Sequence, residues 1–423
     1  MTLEWLIVGG GLQGVHLAAR LLDDGGVGLE QLAVVDPGEG LLEQWRTRVA
    51  VTGMRFLRSP SMHHLDSAPY SLQAFAAQQR GHRRAMFTTP NNRPSVALFH
   101  AHCDHVVERL GLQAQHVQDR VEGIALDEGS AWVELAGGRG IAARRVILAL
   151  GSGEALAWPA WAPRGHRRVR HLFQPKAEDG RPAGTVVGVI GGGVTAAQVA
   201  LRLAREGRRV VMVTRHALRT SQYDSEPGWH GPKFMTAFAR LEDPRARRAE
   251  VASGRNRGSM PPDVRHALDG ALRRGAIELH RASVTSADVS GPGVRLTLED
   301  GARLELDELL LATGFSGERP GGALVDRLVE EEGLPCAPCG FPIVDPALRW
   351  HRRIHVAGPL AELELGPVAG NISGARRAGE RIVRGALANP GLGRPAFGAA
   401  RPGGRVGTVG PRLVPWGNRR RLS

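Results

Sequence analysis

Apolar positions along the chain gather into short runs of four to six, each followed by a glycine cluster and then an amphipathic stretch. The first is "LIVGGGLQGVHLAARLL": an apolar strand ending at Val8, a turn from Gly9 to Gly14, and a helix whose apolar residues recur at helical spacing. The second is "VGVIGGGVTAAQVALRLA", beginning at Val187, with the same order of strand, turn and helix. "LAVVDP" and "RRVVMVTRHA" follow these units as further strands. "RRVILALGSG", "ELLLATGFSG" and "RRIHVAGPLAELELGPVAGN" read as strands that run into glycine turns. Strands alternating with helices predict an α/β chain.

The glycines carry chemistry as well as geometry. In the first turn Gly9 permits the tight bend, Gly11 leaves room for a pyrophosphate, and Gly14 lets the helix pack close to its strand. Asp36 ends the next strand about 20 residues later, where a carboxylate reaches ribose hydroxyls. This pattern predicts FAD. The second turn offers Gly191, Gly193 and, in the third place, Ala196. Its following strand ends in Thr214 and Arg215 instead of an acid, which suits a ribose 2′-phosphate and predicts NADPH. Gly151, Thr313 and Gly314 end the strands expected to cross between the two nucleotide lobes beside a cofactor, and Gly358 and Gly366 belong to a closing segment.

Two Rossmann-like domains follow, with the NADPH domain inserted in the FAD domain. The FAD-binding domain is expected over 1–155 and 309–390, and the NADPH-binding domain over 156–308 with a helical insertion at about 216–265. A Gly-, Pro- and Arg-rich tail at 391–423 has no apolar periodicity and reads as disordered.

Composition changes this picture little. The formal charge is +13, yet Lys176 and Lys233 are the only lysines, and the arginines are spread along the chain without a nucleic-acid recognition motif. No apolar run is long enough to span a bilayer. The chain enters a strand almost at Met1, with no basic flank or cleavage site, which predicts no secretory signal. Three cysteines make no disulfide framework, so a cytoplasmic setting is expected. His102 and His105 lie about one helical turn apart in "FHAHCDHVVE", with no second ligand cluster, so no metal is expected.

Three further stretches narrow the class: "GMRFLRSPSMHHLD" with "TTPNNRPSVALFHAHCDHVVERLGL"; "RTSQYDSEPGWHGPKFMTAFARL" with "GSMPPDVRHALDGAL"; and "GPLAELELGPVAGNISGARRAGERI". In order and texture the chain resembles the flavin-dependent N-hydroxylating monooxygenases, the ornithine and lysine N-hydroxylase class, over most of residues 3–385. The resemblance implies hydride transfer from NADPH to FAD, reaction with O₂ to a C4a-hydroperoxyflavin, and hydroxylation of an amine nitrogen. It further implies that Arg58, Pro60 and His63 lie beside the flavin, with Asn91, Asn92 and Arg93 near the flavin or nicotinamide; His63 and Asn92 are the catalytic candidates. The insertion of this class helps build an amino-acid pocket, here offering Tyr223, Asp224, Trp229, His230 and Lys233. These do not match amino-acid ligands residue by residue, and substrate identity stays open.

Two other readings remain. Cys336 and Cys339 in "LPCAPCGFP" form a CxxC that suits an NADPH:disulfide oxidoreductase of the thioredoxin reductase type, although such a pair is expected within the NADPH lobe. The other reading is a non-catalytic flavin-binding redox sensor that contacts a partner through its arginine-rich tail.

Overall fold

The computed structural model describes residues 2–79, 83–152, 155–174, 185–388 and 414–415. Two parallel sheets organise them. In the first, Leu3–Val8 lies between Arg139–Leu148 and Leu32–Asp36, with His116–Gln118 beyond the latter and Ile354–Val356 beyond the former, all parallel. The antiparallel pair Val121–Leu126 and Ala131–Leu135 leads into Arg139–Leu148. Trp5, Leu6 and Ile7 are buried in this sheet because helices and the returning C-terminal segment cover it. Such strands read as continuous apolar runs, since neither face meets water.

The second sheet is wholly parallel, in the order Ile277–His280, Arg209–Val213, Val186–Ile190, Glu308–Leu311 and Val169–His171. Its expected end at residue 308 falls inside a strand, so the second lobe runs on to Leu311 before the chain returns. One face packs on the helices Val194–Arg205 and Pro262–Arg273. The other packs on the antiparallel strands Val284–Asp288, Val294–Leu298 and Arg303–Leu306.

Two chain crossings join the lobes and pair with each other. Ala157 N donates to Gly314 O at 3.0 Å and Ser316 N to Ala155 O at 2.7 Å, making a short antiparallel ribbon. Thr313 Oγ1 donates to Ala157 O, so its hydroxyl holds this ribbon together.

Val414–Pro415, within the segment expected to be disordered, pairs antiparallel with Arg139–Gly140; the rest of 391–423 lies outside the described residues. Among the described residues no helix is long and apolar enough to cross a membrane.

Candidate functional site

The two glycine turns are built alike. At each, the first glycine has positive φ, +109° at Gly9 and +144° at Gly191, and passes against a carbonyl of the neighbouring strand. A Cβ on Gly9 would lie 2.7 Å from Ala149 O, and one on Gly191 would lie 2.6 Å from Ala312 O. Gly14 approaches Gly9 so closely that its Cβ would meet that carbonyl oxygen at 1.8 Å. Gly11 is the opposite case: a Cβ there meets nothing within 4 Å. Gly11 is also the N-cap of the helix Leu12–Asp23, with no side-chain cap and no acid in the first turn. First-turn amides therefore face an open space, a cradle for phosphate that a side chain would fill.

That space belongs to a cavity of about 1150 Å³. Asp36 and Gly151 of the first lobe line it together with Arg48, Phe173 and Phe315, and so do Asp224, Arg255 and Glu362. Asp36 is fixed by backbone donors: its Oδ2 accepts from Gly10 N at 2.7 Å and its Oδ1 from Gly38 N at 2.9 Å. Each oxygen keeps a second lone pair for a ribose hydroxyl. Gln13 Nε2 donates to Ala369 O and Asn371 O, tying the start of the helix Leu12–Asp23 to the C-terminal segment.

The second turn is narrower. A Cβ on Gly193 would lie 3.4 Å from Gly258 Cα, so a loop of the insertion covers it. Ala196 is buried beneath the turn. Thr214 is buried as well, and its Oγ1 donates to His216 O at 3.1 Å. Arg215 stands exposed at the strand end and makes no hydrogen bond or ion pair among the described residues.

Several expected site residues do other work. Arg58 is not free for a flavin: its guanidinium donates to the carbonyls of Ser221, Gln222 and Tyr223 and to Ser259 Oγ, bracing the insertion. Arg93 is buried, donates to Thr89 O, and pairs with Asp263 Oδ2 at 3.0 Å. Asn92 is exposed, while Asn91 donates to the Tyr223 hydroxyl. Trp229 forms a small core with Phe238, Val251 and Val368 instead of a pocket wall. Gly366 packs on that core, its Cβ position 3.3 Å from Met235 Sδ and 3.4 Å from Trp229. A Cβ on Gly358 would lie 3.5 Å from both Gln13 Cγ and Leu150 O. Lys233 is exposed, its ammonium 5.3 Å from the Phe234 ring centroid. Pro60 O accepts from His63 N in a turn, and Pro60 does not line the cavity.

His63 and His230 meet across the lobe interface, with ring centroids 5.1 Å apart. Burial, then the charges of His230 and Arg376, bring His63 down to about 4, and burial with Arg377 lowers His230. Both rings are neutral at pH 7.

Sequence reasoning missed an interlobe clamp. Arg248 and Arg255 pair with the buried carboxylate of Glu362, and Arg247 pairs with Glu364. The acids of "ELELG" stand in an apolar segment, and a buried acid requires a cation; that was the available signal.

Cys336 and Cys339 lie in a tight turn in which Ala337 N donates to Phe341 O at 2.9 Å. Neither cysteine lines the cavity, although Phe341 does. Burial pushes the Cys336 thiol above the ordinary thiol range, away from the reactive thiolate.

Comparison with known proteins agrees with this geometry. Residues 6–153 match the model of a family described as FAD-NAD(P)-binding, and this segment is an FAD/NAD(P)-binding domain. No curated protein matches the chain. An ornithine N-hydroxylase from Kutzneria sp. 744, solved with reduced FAD, NADP⁺ and L-ornithine, is similar with a TM-score of 0.74 at 17% identity, over 92% of this chain and 100% of that one. The reduced ornithine hydroxylase of Pseudomonas aeruginosa gives 0.71 at 17% identity, over 91% and 98%. A bacillithiol disulfide reductase from Bacillus cereus gives 0.59 at 19% identity, over 92% and 100%. The shared property is the fold: that of flavin-dependent oxidoreductases with two dinucleotide-binding units.

Proposed function

We propose that the chain is an FAD- and NADPH-dependent monooxygenase that hydroxylates an amine nitrogen, with FAD on the first glycine turn and NADPH on the second. The observation that carries this reading is one cavity lined both by the open Gly11 turn and Asp36 of the first lobe and by Asp224 and Arg255 of the second. A cofactor bound in it would be held by residues of both lobes. FAD, when bound, supplies the oxygen-transfer chemistry, so the protein contributes binding, orientation and exclusion of water.

The residues suit those tasks. The Gly11 turn takes the pyrophosphate, and Asp36 takes the ribose. The pairs of Glu362 with Arg248 and Arg255, and the Arg58 brace, hold the lobes together and limit water entry. His63 and His230, kept neutral, add no positive charge to repel an amine substrate at the interface.

The likeness in fold to ornithine N-hydroxylases supports the same reading, as the higher TM-scores lie with them. The disulfide reductase alternative is less supported, because Cys336 and Cys339 lie off the cavity and the Cys336 thiol resists ionisation. NADPH oxidation by the FAD-loaded protein, measured with a panel of primary amines and with small disulfides, tests the proposal. Stimulation by an amine with formation of its hydroxylamine is expected. Stoichiometric disulfide reduction with no amine response would replace the proposal with the reductase reading.

A further inference from the structure

The segment 64–71 is held against three helices by polar contacts. His16 of Leu12–Asp23 donates through Nδ1 to Leu65 O at 2.7 Å. His102 of Val96–Arg109 lies 2.9 Å through Nε2 from Ser71 Oγ, and its ring meets that of His64 edge-on with centroids 5.3 Å apart. Arg376 of Ile372–Ala388 donates through Nη1 to His64 O at 3.4 Å and to Asp66 O at 2.9 Å. His16, His64 and His102 are each 0% exposed, and none lines the nucleotide cavity. Every one of these imidazoles belongs to the segment or bonds to it.

Their hydrogen bonds fix where a further proton would go. The carbonyl of Leu65 only accepts, so His16 Nδ1 carries the hydrogen and Nε2 is bare. Ser71 Oγ donates its own hydrogen to Asp66 Oδ2 at 2.7 Å, so it accepts from His102 Nε2 and leaves Nδ1 bare. His16 Nε2, His102 Nδ1 and both ring nitrogens of His64 are buried without a hydrogen-bond partner among the described residues. A proton added to any of these rings in place makes a buried cationic N–H with no acceptor. Neighbouring charges oppose it as well. Arg20, His105, Arg109 and Arg376 face the cluster against one carboxylate, Asp66, which already accepts from Arg109 and Ser71. The helix Ser71–Gln78 adds no charged residue. Burial accordingly brings His16 and His64 down to about 3 and His102 to about 4.

We propose that the segment 64–71 is an acid-released strap: its local opening hydrates His16, His64 and His102 together, and the three take up protons in that open state. In water each imidazole protonates near pH 6.5, so the open form gains as pH falls below that value, and the closed form is most stable above it. One opening serves three groups, so the equilibrium shifts with up to three protons, more steeply than a single histidine allows. At neutral pH the strap is already under local strain, since His64 is buried with neither nitrogen bonded and opening relieves this. Release reaches the lobe junction, where the adjoining His63 meets His230 with ring centroids 5.1 Å apart.

Hydrogen exchange of the purified full chain, read by mass spectrometry at pH 7.5, 6.0 and 5.0 and corrected for the intrinsic pH dependence of exchange, tests this. Peptides over 64–71 report the strap, and peptides over the central strand Leu3–Val8 report global opening. Between pH 7.5 and 5.0 the opening constant of 64–71 is expected to rise about thirtyfold for each histidine, on the order of 10⁴-fold for three. Throughout, 64–71 stays less protected than Leu3–Val8. His64→Leu deletes no side-chain hydrogen bond, and His102→Gln keeps a donor for Ser71, so each should cut the pH response about thirtyfold. Circular dichroism at pH 7.5 checks that each variant is folded. Protection of 64–71 that matches Leu3–Val8 at every pH would overturn the proposal, because the strap would then open with the whole fold. So would a response of about tenfold or less, or one that neither variant diminishes.

Discussion

Arg255 Nη2 lies 2.8 Å from Glu362 Oε2, and this contact joins the insertion of the second lobe to the returning segment of the first. Glu362 is buried, and Arg248 holds its other oxygen. Removing the carboxylate leaves two guanidinium groups at a desolvated junction without their anion. Glu362→Ala should therefore cost about 3 kcal/mol of stability, at the low end for a broken buried pair because both arginines keep some solvent. Urea unfolding measures this. A loss below about 0.5 kcal/mol, the usual range for an unremarkable surface change, would remove the clamp from the account.

The glycines of the first turn should separate binding from folding. Gly11→Val places its side chain in open space, so the fold should survive while FAD is lost from the purified protein. Gly14→Ala drives a methyl group into Gly9 O and should destabilise by about 1–3 kcal/mol or more. Flavin absorbance and thermal unfolding of both variants check this contrast. Full FAD occupancy in Gly11→Val would mean that the cradle was misassigned.

Nucleotide preference should depend on Arg215. Loss of a charge-assisted contact worth about 1.5–3 kcal/mol corresponds to roughly a 10- to 150-fold fall in the NADPH/NADH preference of Arg215→Ala. The ratio of kcat/KM values for the two nucleotides reads it directly. An unchanged ratio would show that the 2′-phosphate is recognised elsewhere.

Acid should destabilise the protein through buried histidines. Burial brings His16 and His355 down to about 3, so both are neutral in the folded state. The unfolded chain protonates them near 6.5, and below that pH it binds more protons than the native state. Their contribution is thus complete above pH 6.5 and declines as pH falls towards 3. At pH 5 it amounts to a loss on the order of 2 kcal/mol per residue. Comparing urea unfolding at pH 7.5 and 5.0 tests the sign. Equal or greater stability at pH 5.0 would contradict it.

The two nucleotide turns were legible in the sequence because phosphate approach and close helix packing each demand glycine at a fixed interval. The return of the chain to the first sheet at Ile354–Val356, after the second sheet, follows from the same repetition of strand and glycine turn. What lay beyond reach was partnership across the interface. Arg58 and Trp229 sit in segments whose order suggests a cofactor or substrate site, but local sequence does not say that Ser221–Tyr223 or Phe238 will take up their side chains. The domain end at 308 was misplaced for a related reason. "ELLL" was read as the strand returning to the first lobe, whereas its register pairs it with Val187–Ile190 in the second.

Incorporation of ¹⁸O from ¹⁸O₂ tests the central claim most directly. The FAD-loaded protein would be supplied with NADPH and the amine that best stimulates nucleotide oxidation, and the products analysed by mass spectrometry. The account predicts one ¹⁸O atom in a hydroxylamine for each coupled turnover, with none drawn from labelled water. The same yield is expected when Cys336 and Cys339 are both changed to Ser, since neither lines the cavity. Nucleotide oxidation that never places labelled oxygen in any amine, and that requires the two cysteines, would contradict it.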